Sequence, residues 1–235
     1  MNLEYLSWDS DFFSKKIGKI SCNSNAESEL RLLLSKAKEQ GYQLVYVFGE
    51  ENLFLDQLFL KKYYAKLVDR KVIYTQSLVA TEKTINKVEE YKNLIITDEL
   101  ESLSYLSGAC SRFRLDNHFE PEEFFRLYKT WMSKSLSGEL ADKVFVVREL
   151  NEIVGIVTLK FQKEVGNIGL IAVSETVQNK GYGKDLINAC RNAVISEGFQ
   201  QLEVPTQMGN ISACRFYEKC GFKIKSITNI YHFWL

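Results

Sequence analysis

The chain has 235 residues, and 46% of them are hydrophobic, which is enough for the buried core of one large domain or two small ones. Basic and acidic side chains both number 30, so the zero net charge gives no bulk electrostatic reason to expect nucleic acid as a partner. No apolar run approaches the roughly 20 residues that cross a bilayer, and the first residues lack the basic and apolar regions of a leader. We therefore expect a cytoplasmic protein that binds neither nucleic acid nor membrane.

The five cysteines are scattered along the chain and form no C-x-x-C pair. Metal sites and disulfide frameworks both need cysteines at short or matched spacings. The sequence therefore predicts free thiols in a reducing compartment and no bound metal.

The first third of the chain alternates helical and extended patterns. Apolar residues at helical spacing, among them Leu30 and Leu34, predict a helix over 27–39 that Gly41 ends. After it the pattern predicts a strand at 44–48, a helix at about 52–61 and a long strand at 66–79. This part of the chain is therefore of mixed α/β character.

From residue 94 the alternation starts again. The predicted elements are, in order, a strand at 94–97, a helix opened by Asp98, a polar loop at 111–118, a helix begun at Glu120 and Pro121, strands at 143–148, 153–161 and 167–173, a helix at 183–196, a strand at 201–204, a helix at 211–219 and a strand at 223–234. The pair Asn151-Glu152 predicts a hairpin turn, so its flanking strands should be antiparallel. The fold class is α/β with a mixed sheet.

Two segments of the chain resemble each other. Residues 39–52 and 197–210 both carry a short glycine-containing turn and a strand between two helices. A degenerate duplication would explain the likeness, and so would the common recurrence of helix-strand-helix units in unrelated proteins. The earlier segment is not accompanied by a phosphate-binding turn like the one with Gly181 and Gly183, so we do not expect it to bind a nucleotide.

The sequence after the strand at 167–173 has the composition of an anion-binding turn. Gly181 and Gly183 stand just before an amphipathic helix, where glycines let the backbone approach a ligand closely and the helix N-terminus favours negative charge. A Gly-x-Gly at a helix start can also serve only to turn the chain.

Further residues in the same order resemble the GNAT superfamily of acetyltransferases. They are the run Gln178-x-x-Gly181-x-Gly183, Asn210 at a helix start and the segment 215–222 with Tyr217. The resemblance implies the GNAT acyl-CoA N-acyltransferase fold, acetyl-CoA as co-substrate, a splayed strand pair that binds the pantetheine, an oxyanion-stabilising N–H near Val173 and Tyr217 as general acid for the departing thiolate. The cofactor-binding residues it implies are Ile171, Ala172, Val173, Gln178, Asn179, Lys180, Gly181, Tyr182, Gly183, Lys184 and Asn210. Tyr217 could instead be an ordinary packing aromatic, and Asn210 a helix cap alone.

Segments 8–13, 111–114 and 206–210 and the aromatic C-terminal strand also resemble the dTDP-fucosamine acetyltransferases. That family acetylates the 4-amino group of a dTDP-linked 4-amino-4,6-dideoxyhexose for cell-surface polysaccharide synthesis. The chain pattern predicts a smaller N-terminal α/β module at 1–90 and a GNAT domain at 91–235, and the likeness between residues 39–52 and 197–210 leaves open that the smaller module is a degenerate half-copy of the GNAT domain. Related folds often dimerise, so a homodimer is an open alternative to a monomer.

A nucleotide-sugar acceptor would give the loop at 111–118 a function. Arg112 and Arg114 would neutralise the diphosphate of the acceptor, and Phe113 would line the sugar or base pocket. The alternative is that both arginines make surface ion pairs and Phe113 anchors the loop to the core.

The sequence does not identify a general base. The candidates are His118, His232, Glu175, Asp116 and an ordered water. Two other functions stay open at this level. The chain could acetylate a different amine, such as a protein N-terminus, a lysine or a small molecule, or it could bind CoA without catalysis.

Overall fold

The computed structural model describes residues 1–22, 27–79 and 87–235. These residues form two compact units. The first unit comprises Met1–Val72, Gln207–Gly209 and Ser226–Leu235, and the second comprises Ile73–Thr206 and Asn210–Lys225. Each unit therefore combines separate stretches of the chain. The division into modules 1–90 and 91–235 stays a prediction.

The helices and strands alternate along most of the chain. In order they are β1 Leu3–Tyr5, α1 Ser7–Phe13, β2 Ile17–Cys22, α2 Glu27–Glu39, β3 Leu44–Glu50, α3 Gln57–Lys62, β4 Lys66–Ser77, β5 Val88–Glu90, α4 Asp98–Ser107, α5 Arg112–Leu115, α6 Pro121–Leu136, β6 Lys143–Glu149, β7 Glu152–Gln162, β8 Val165–Val173, α7 Tyr182–Ser196, β9 Gln201–Gln207, α8 Ile211–Lys219 and β10 Lys223–Trp234. Within the described residues, no helix is both long enough and apolar enough to span a membrane.

The first unit is a sheet covered by α2. Its strands lie in the order β1, β2, β3, β10 and β4, and β2 and β3 are parallel over six pairs, from Ile17 with Leu44 to Cys22 with Gly49. Leu30 and other apolar residues on one face of α2 lie in the hydrophobic core cluster of this unit. Burial of this face explains why the apolar residues of the helix recur at helical spacing.

The second unit contains the strands that precede the anion-binding turn. Its sheet has the order β4, β9, β8, β7, β6 and β5, in which β8 and β9 are parallel and β6, β7 and β8 are antiparallel. Leu150 and Asn151 both have positive φ, as a two-residue type I′ hairpin requires. The antiparallel pairing predicted for these strands is confirmed.

Several predicted elements have different bounds in the structure. Residues 94–97 are not a strand, whereas Val88–Glu90 is one, so the strand prediction was wrong by several residues. The predicted polar loop at 111–118 contains the single helical turn α5. Helix α3 begins later than predicted because the Asp56 carboxylate caps it by accepting the N–H groups of residues 58 and 59.

Candidate active site

Strands β7 and β8 of the second unit contain a β-bulge. Their register shifts by one residue between Val157 and Leu159, so Thr158 faces both Gly169 and Leu170 on β8. An extra residue of this kind bends a strand and increases its local twist. An isolated glycine in a strand pattern is the sequence signal for a bulge, and Gly169 carries this signal within the regular strand predicted at 167–173.

Beyond the bulge, β8 presents backbone groups on the side away from β7. The N–H of Ser174 donates to the carbonyl of Val154 at 2.8 Å, which makes these two opposed residues a hydrogen-bonded pair. Such pairs alternate along an antiparallel ladder. The N–H and C=O of Ala172 therefore point toward β7, whereas those of Ile171 and Val173 point away from it.

Strand β8 also separates from its parallel neighbour β9 before it reaches Ile171. The register between them covers three pairs and ends at Asn167 and Glu203. Within the described residues, the outward N–H and C=O groups of Ile171 and Val173 thus lie on an edge of β8 that does not pair with β9. This is the splay that the GNAT resemblance implies, and an edge of this kind can accept an extended ligand as an added strand.

The backbone between β8 and α7 curls through two residues in the left-handed region. A single 3₁₀ turn at Glu175–Val177 is followed by Asn179 with φ 65° and Gly181 with φ 90°. Gly181 is the N-cap residue of α7, and a Cβ built there would meet no atom within 4 Å. The first N–H groups of α7 thus follow a glycine with open space beside it, which suits an anion.

Gly183 serves a different purpose from Gly181. A Cβ at Gly183 would lie 3.1 Å from the ring of Phe216 on α8, closer than side chains normally pack. The absence of a side chain lets α8 approach the first turn of α7. The structure thus gives Gly183 a role in helix packing that the sequence did not predict, and its predicted contact with the cofactor stays a prediction.

The remaining predicted cofactor residues of the turn differ in exposure. Gln178, Lys180 and Lys184 are exposed, whereas the Tyr182 side chain is buried. The Gln178 side-chain amide donates to the carbonyl of Val173 at 3.4 Å. Lys180 forms an ion pair of 2.7 Å with Glu149 at the end of β6, and this hydrogen bond raises the pKa of Lys180.

Tyr217 lies on the buried face of α8. Its ring is 3% exposed and packs against Tyr74 and Phe222, with ring centroids 5.7 and 5.9 Å apart. Burial raises the pKa of Tyr217 above its ordinary value, because a buried phenolate loses its hydration. The hydroxyl is therefore protonated at neutral pH, as a proton donor must be.

Two contacts fix α8. The side chain of Asn210 accepts the N–H of Ala213 at 3.1 Å and so caps the helix. The hydroxyl of Tyr74 on β4 donates to Glu218 at 2.9 Å, one residue after Tyr217. The capping role of Asn210 is confirmed, and its contact with a cofactor stays a prediction.

The predicted acceptor residues lie on the one-turn helix α5. The Phe113 ring is buried and lies 5.4 Å from Phe119 and 6.1 Å from Trp131, centroid to centroid, which is the anchoring role proposed as its alternative. The Arg112 guanidinium lies over the Phe113 ring at 4.6 Å. Arg114 is exposed, with its guanidinium 5.3 Å from the ring centroid of Phe124.

The candidate bases fall in different surroundings. His118 is half-exposed and its Nδ1 lies 3.0 Å from a carboxylate oxygen of the buried Asp116, so these two candidates form one pair. Glu175 is exposed. His232 belongs to the first unit, where it is buried against the ring of Tyr46.

The structure adds a carboxylate that the sequence did not single out. Glu203 is the last β9 residue paired with β8, is 8% exposed and forms an ion pair of 2.6 Å with Lys225. A buried charge needs a partner of this kind. Its position where β8 and β9 diverge follows from the register of these two strands, which the sequence alone does not show. In the described part of the chain, no three metal-ligating side chains come together.

Comparison with known proteins supports the fold and the class of chemistry. The Acetyltransferase (GNAT) family matches residues 105–222, half of the chain. The Bacillus subtilis protein Uncharacterized N-acetyltransferase YvbK is 35% identical over 130 residues, which cover 55% of this chain and 71% of that protein. The dTDP-fucosamine acetyltransferase of Escherichia coli O6:H1 is 29% identical over 129 residues, 54% of each chain. A GCN5-related N-acetyltransferase from Sphaerobacter thermophilus has the same fold, with a TM-score of 0.57 at 14% identity, over 91% of this chain and 72% of that one.

The open β8 edge, the left-handed turn before α7 and the tyrosine on α8 together form a candidate site for acyl transfer. The chain belongs to the GNAT family of N-acetyltransferases. The match with the E. coli relative spans about half the length of that protein.

Proposed function

We propose that this N-acetyltransferase transfers the acetyl group of acetyl-CoA to the 4-amino group of a dTDP-linked 4-amino-4,6-dideoxyhexose. The observation that carries the acceptor assignment is the 29% identity with a dTDP-fucosamine acetyltransferase. On this proposal the protein contributes a precursor of cell-surface polysaccharide. We expect the protein to act in the cytoplasm.

The residues of the second unit fit acetyl-CoA. The outward N–H and C=O groups of Ile171 and the outward C=O of Val173 match the amide groups of a pantetheine chain, which leaves the N–H of Val173 for the thioester oxygen. Gly181 leaves room for a diphosphate beside the first N–H groups of α7. Lys180 and Lys184 add positive charge at the same helix end, although Glu149 already neutralises the first.

In the proposed reaction the acceptor amine attacks the thioester carbonyl directly, so a C–N bond forms as the C–S bond breaks. The N–H of Val173 donates to the oxygen that becomes negative in the transition state. Tyr217 gives its proton to the departing thiolate. The amine loses its proton to a water molecule or to one of the candidate bases, and no covalent enzyme intermediate forms.

The predicted contacts with the acceptor lie on helix α5. Arg112 and Arg114 supply guanidinium groups that could pair with a diphosphate, while the burial of Phe113 supports a role as the anchor of α5. Substituting Arg112 by Ala tests this directly. We expect KM for the acceptor to rise about tenfold or more with KM for acetyl-CoA unchanged, since a charge-assisted hydrogen bond contributes about 1.5–3 kcal/mol. An unchanged acceptor KM removes Arg112 from the acceptor site.

The whole proposal is tested by a kinetic comparison of acceptors with acetyl-CoA. The panel contains dTDP-4-amino-4,6-dideoxyhexoses that differ at C4, the corresponding free amino sugars, a lysine peptide and a peptide with a free N-terminus. We expect kcat/KM to be highest for one dTDP-linked sugar. A preference for a peptide would overturn the acceptor class, and CoA binding without turnover of any amine would favour a non-catalytic CoA-binding module.

A further inference from the structure

The threonine at the β-bulge interacts with the strand that carries the proposed pantetheine edge. The Thr158 side chain is 2% exposed, and its hydroxyl accepts the N–H of Leu170 at 2.8 Å. A bulge leaves one residue outside the regular ladder. In this bulge the side chain of Thr158 provides the acceptor for an N–H that points toward β7.

We propose that Thr158 is a positioning residue, whose hydroxyl holds the bulge so that the backbone groups of Ile171 and Val173 face the open edge. This inference rests on the proposed binding of acetyl-CoA at that edge. The N–H of Leu170 lies one residue before Ile171 on the same strand. Fixing its direction fixes the side to which the next N–H and C=O groups point, because these groups alternate along a strand.

The residue opposite the hydroxyl supports the same role. A Cβ at Gly169 would lie 2.8 Å from the Thr158 hydroxyl oxygen, closer than real side chains approach an oxygen. Gly169 therefore leaves the space that the hydroxyl occupies. An alanine at this position should displace the hydroxyl and release the Leu170 N–H while the residue at position 158 stays threonine.

Four variants separate this role from general destabilisation. Thr158→Val keeps the shape of the side chain and removes the acceptor, whereas Thr158→Ser keeps the acceptor and removes a methyl group. Gly169→Ala displaces the hydroxyl indirectly. Thr75→Val is the matched control, because Thr75 lies on β4 of the same unit and its hydroxyl donates to the Gln201 side chain at 3.2 Å, away from the bulge.

Three measurements are made on each variant: amide hydrogen exchange of Leu170, calorimetric affinity for CoA, and kcat and KM for both substrates. For Thr158→Val and Gly169→Ala we expect faster exchange at Leu170 and a kcat/KM for acetyl-CoA lower by about tenfold, since small misplacements in a site have large effects on rate. We expect Thr158→Ser and the Thr75 control to stay within about twofold of the unmodified protein, as surface or conservative changes do.

The inference is overturned if Thr158→Val binds CoA and turns over like the unmodified protein, or if Thr158→Ser is as damaged as Thr158→Val. Should Thr158→Val fail to fold, Gly169→Ala decides by the same criteria. Failure of the proposed function looks different: the unmodified protein would then acetylate no dTDP-linked amino sugar, while exchange at Leu170 and CoA affinity would still report on Thr158.

Discussion

Gly181 offers a direct test of how the turn before α7 works. Its φ is 90° and a Cβ there would meet no atom within 4 Å, so Gly181→Ala changes backbone strain without creating a clash. A left-handed conformation costs a residue with a side chain about 1–2 kcal/mol. Against this, alanine reduces the entropy of the unfolded chain and stabilises by about 0.4–1 kcal/mol.

The net effect predicted for Gly181→Ala is a loss of about 1 kcal/mol in the free energy of unfolding, or about 2–4 °C in Tm for a chain of this size. The same free energy disfavours the turn conformation that binds the diphosphate. A turn that relaxes to relieve this strain must regain the strained conformation on binding, so the dissociation constant for CoA should rise by up to about fivefold. Denaturant titration and isothermal calorimetry measure the two quantities.

Gly209 provides the control for Gly181. Its added Cβ would also meet no atom within 4 Å, but its φ lies outside the left-handed region, so Gly209→Ala should leave stability unchanged or slightly higher. A second variant, Gly181→Asn, should fall between glycine and alanine because asparagine tolerates positive φ. The reasoning is refuted if Gly181→Ala is as stable as the unmodified protein and binds CoA with the same affinity.

Three further predictions concern the elements around this turn. Asn210→Ala removes the side chain that accepts the Ala213 N–H and should lower the free energy of unfolding by about 1 kcal/mol, measured by urea titration. Asn210→Asp keeps an acceptor and should be about as stable as the unmodified protein. An alanine variant of full stability contradicts the capping role. Tyr217→Phe should lower kcat about 100-fold with little change in KM, and an unchanged kcat for this variant excludes the general-acid role. Because burial raises the pKa of Tyr217, the unmodified enzyme should lose no activity through deprotonation of Tyr217 below about pH 10. Glu149→Gln releases Lys180 from its ion pair and should lower KM for acetyl-CoA, with a larger effect at low ionic strength than at high ionic strength. A KM that is unchanged at both salt concentrations shows that Lys180 does not interact with the phosphates of the cofactor.

Helices with a clear apolar face and recognisable ends were predictable from the sequence. The bounds predicted at 27–39 and 211–219 agree with α2 and α8. Apolar periodicity followed by Gly41 indicated the first helix, and Asn210 indicated the start of the second. Strand β10 was equally clear at 223–234. The strands that pair with β10 were not predictable, because residues 228–234 pair with residues 44–50, which are far away in the chain. Periodicity indicates which face of a strand is buried, but not which strands lie beside it.

The turn of the candidate site was predictable, while the strand that precedes it was predictable only in outline. Gly181 and Gly183 were both predicted to let the backbone curl, and the structure gives a positive φ to Gly181 but not to Gly183. The bulge at Thr158, the different role of Gly183 and the position of Glu203 all depend on which side chains face one another across elements. Local patterns in one sequence do not contain this information.

The likeness between the two helix-strand-helix segments ends at their parallel strand pairs. Strands β8 and β9 are paired over three positions before they diverge, whereas β2 and β3 stay paired over six. The backbone groups of β2 along this length are used within the sheet. This difference gives a structural reason, besides the missing glycine turn, to expect a single cofactor site.

Strand β10 has a consequence for synthesis on the ribosome. It lies between β3 and β4 in the sheet of the first unit, yet residues 226–235 come more than 150 positions after Val72. A nascent chain that has reached the second unit still lacks one interior strand of the first unit, β10, and the facing edges of β3 and β4 stay exposed to wrong partners until this strand has been synthesised. Completion of the first unit must therefore wait until residues 226–235 have been synthesised.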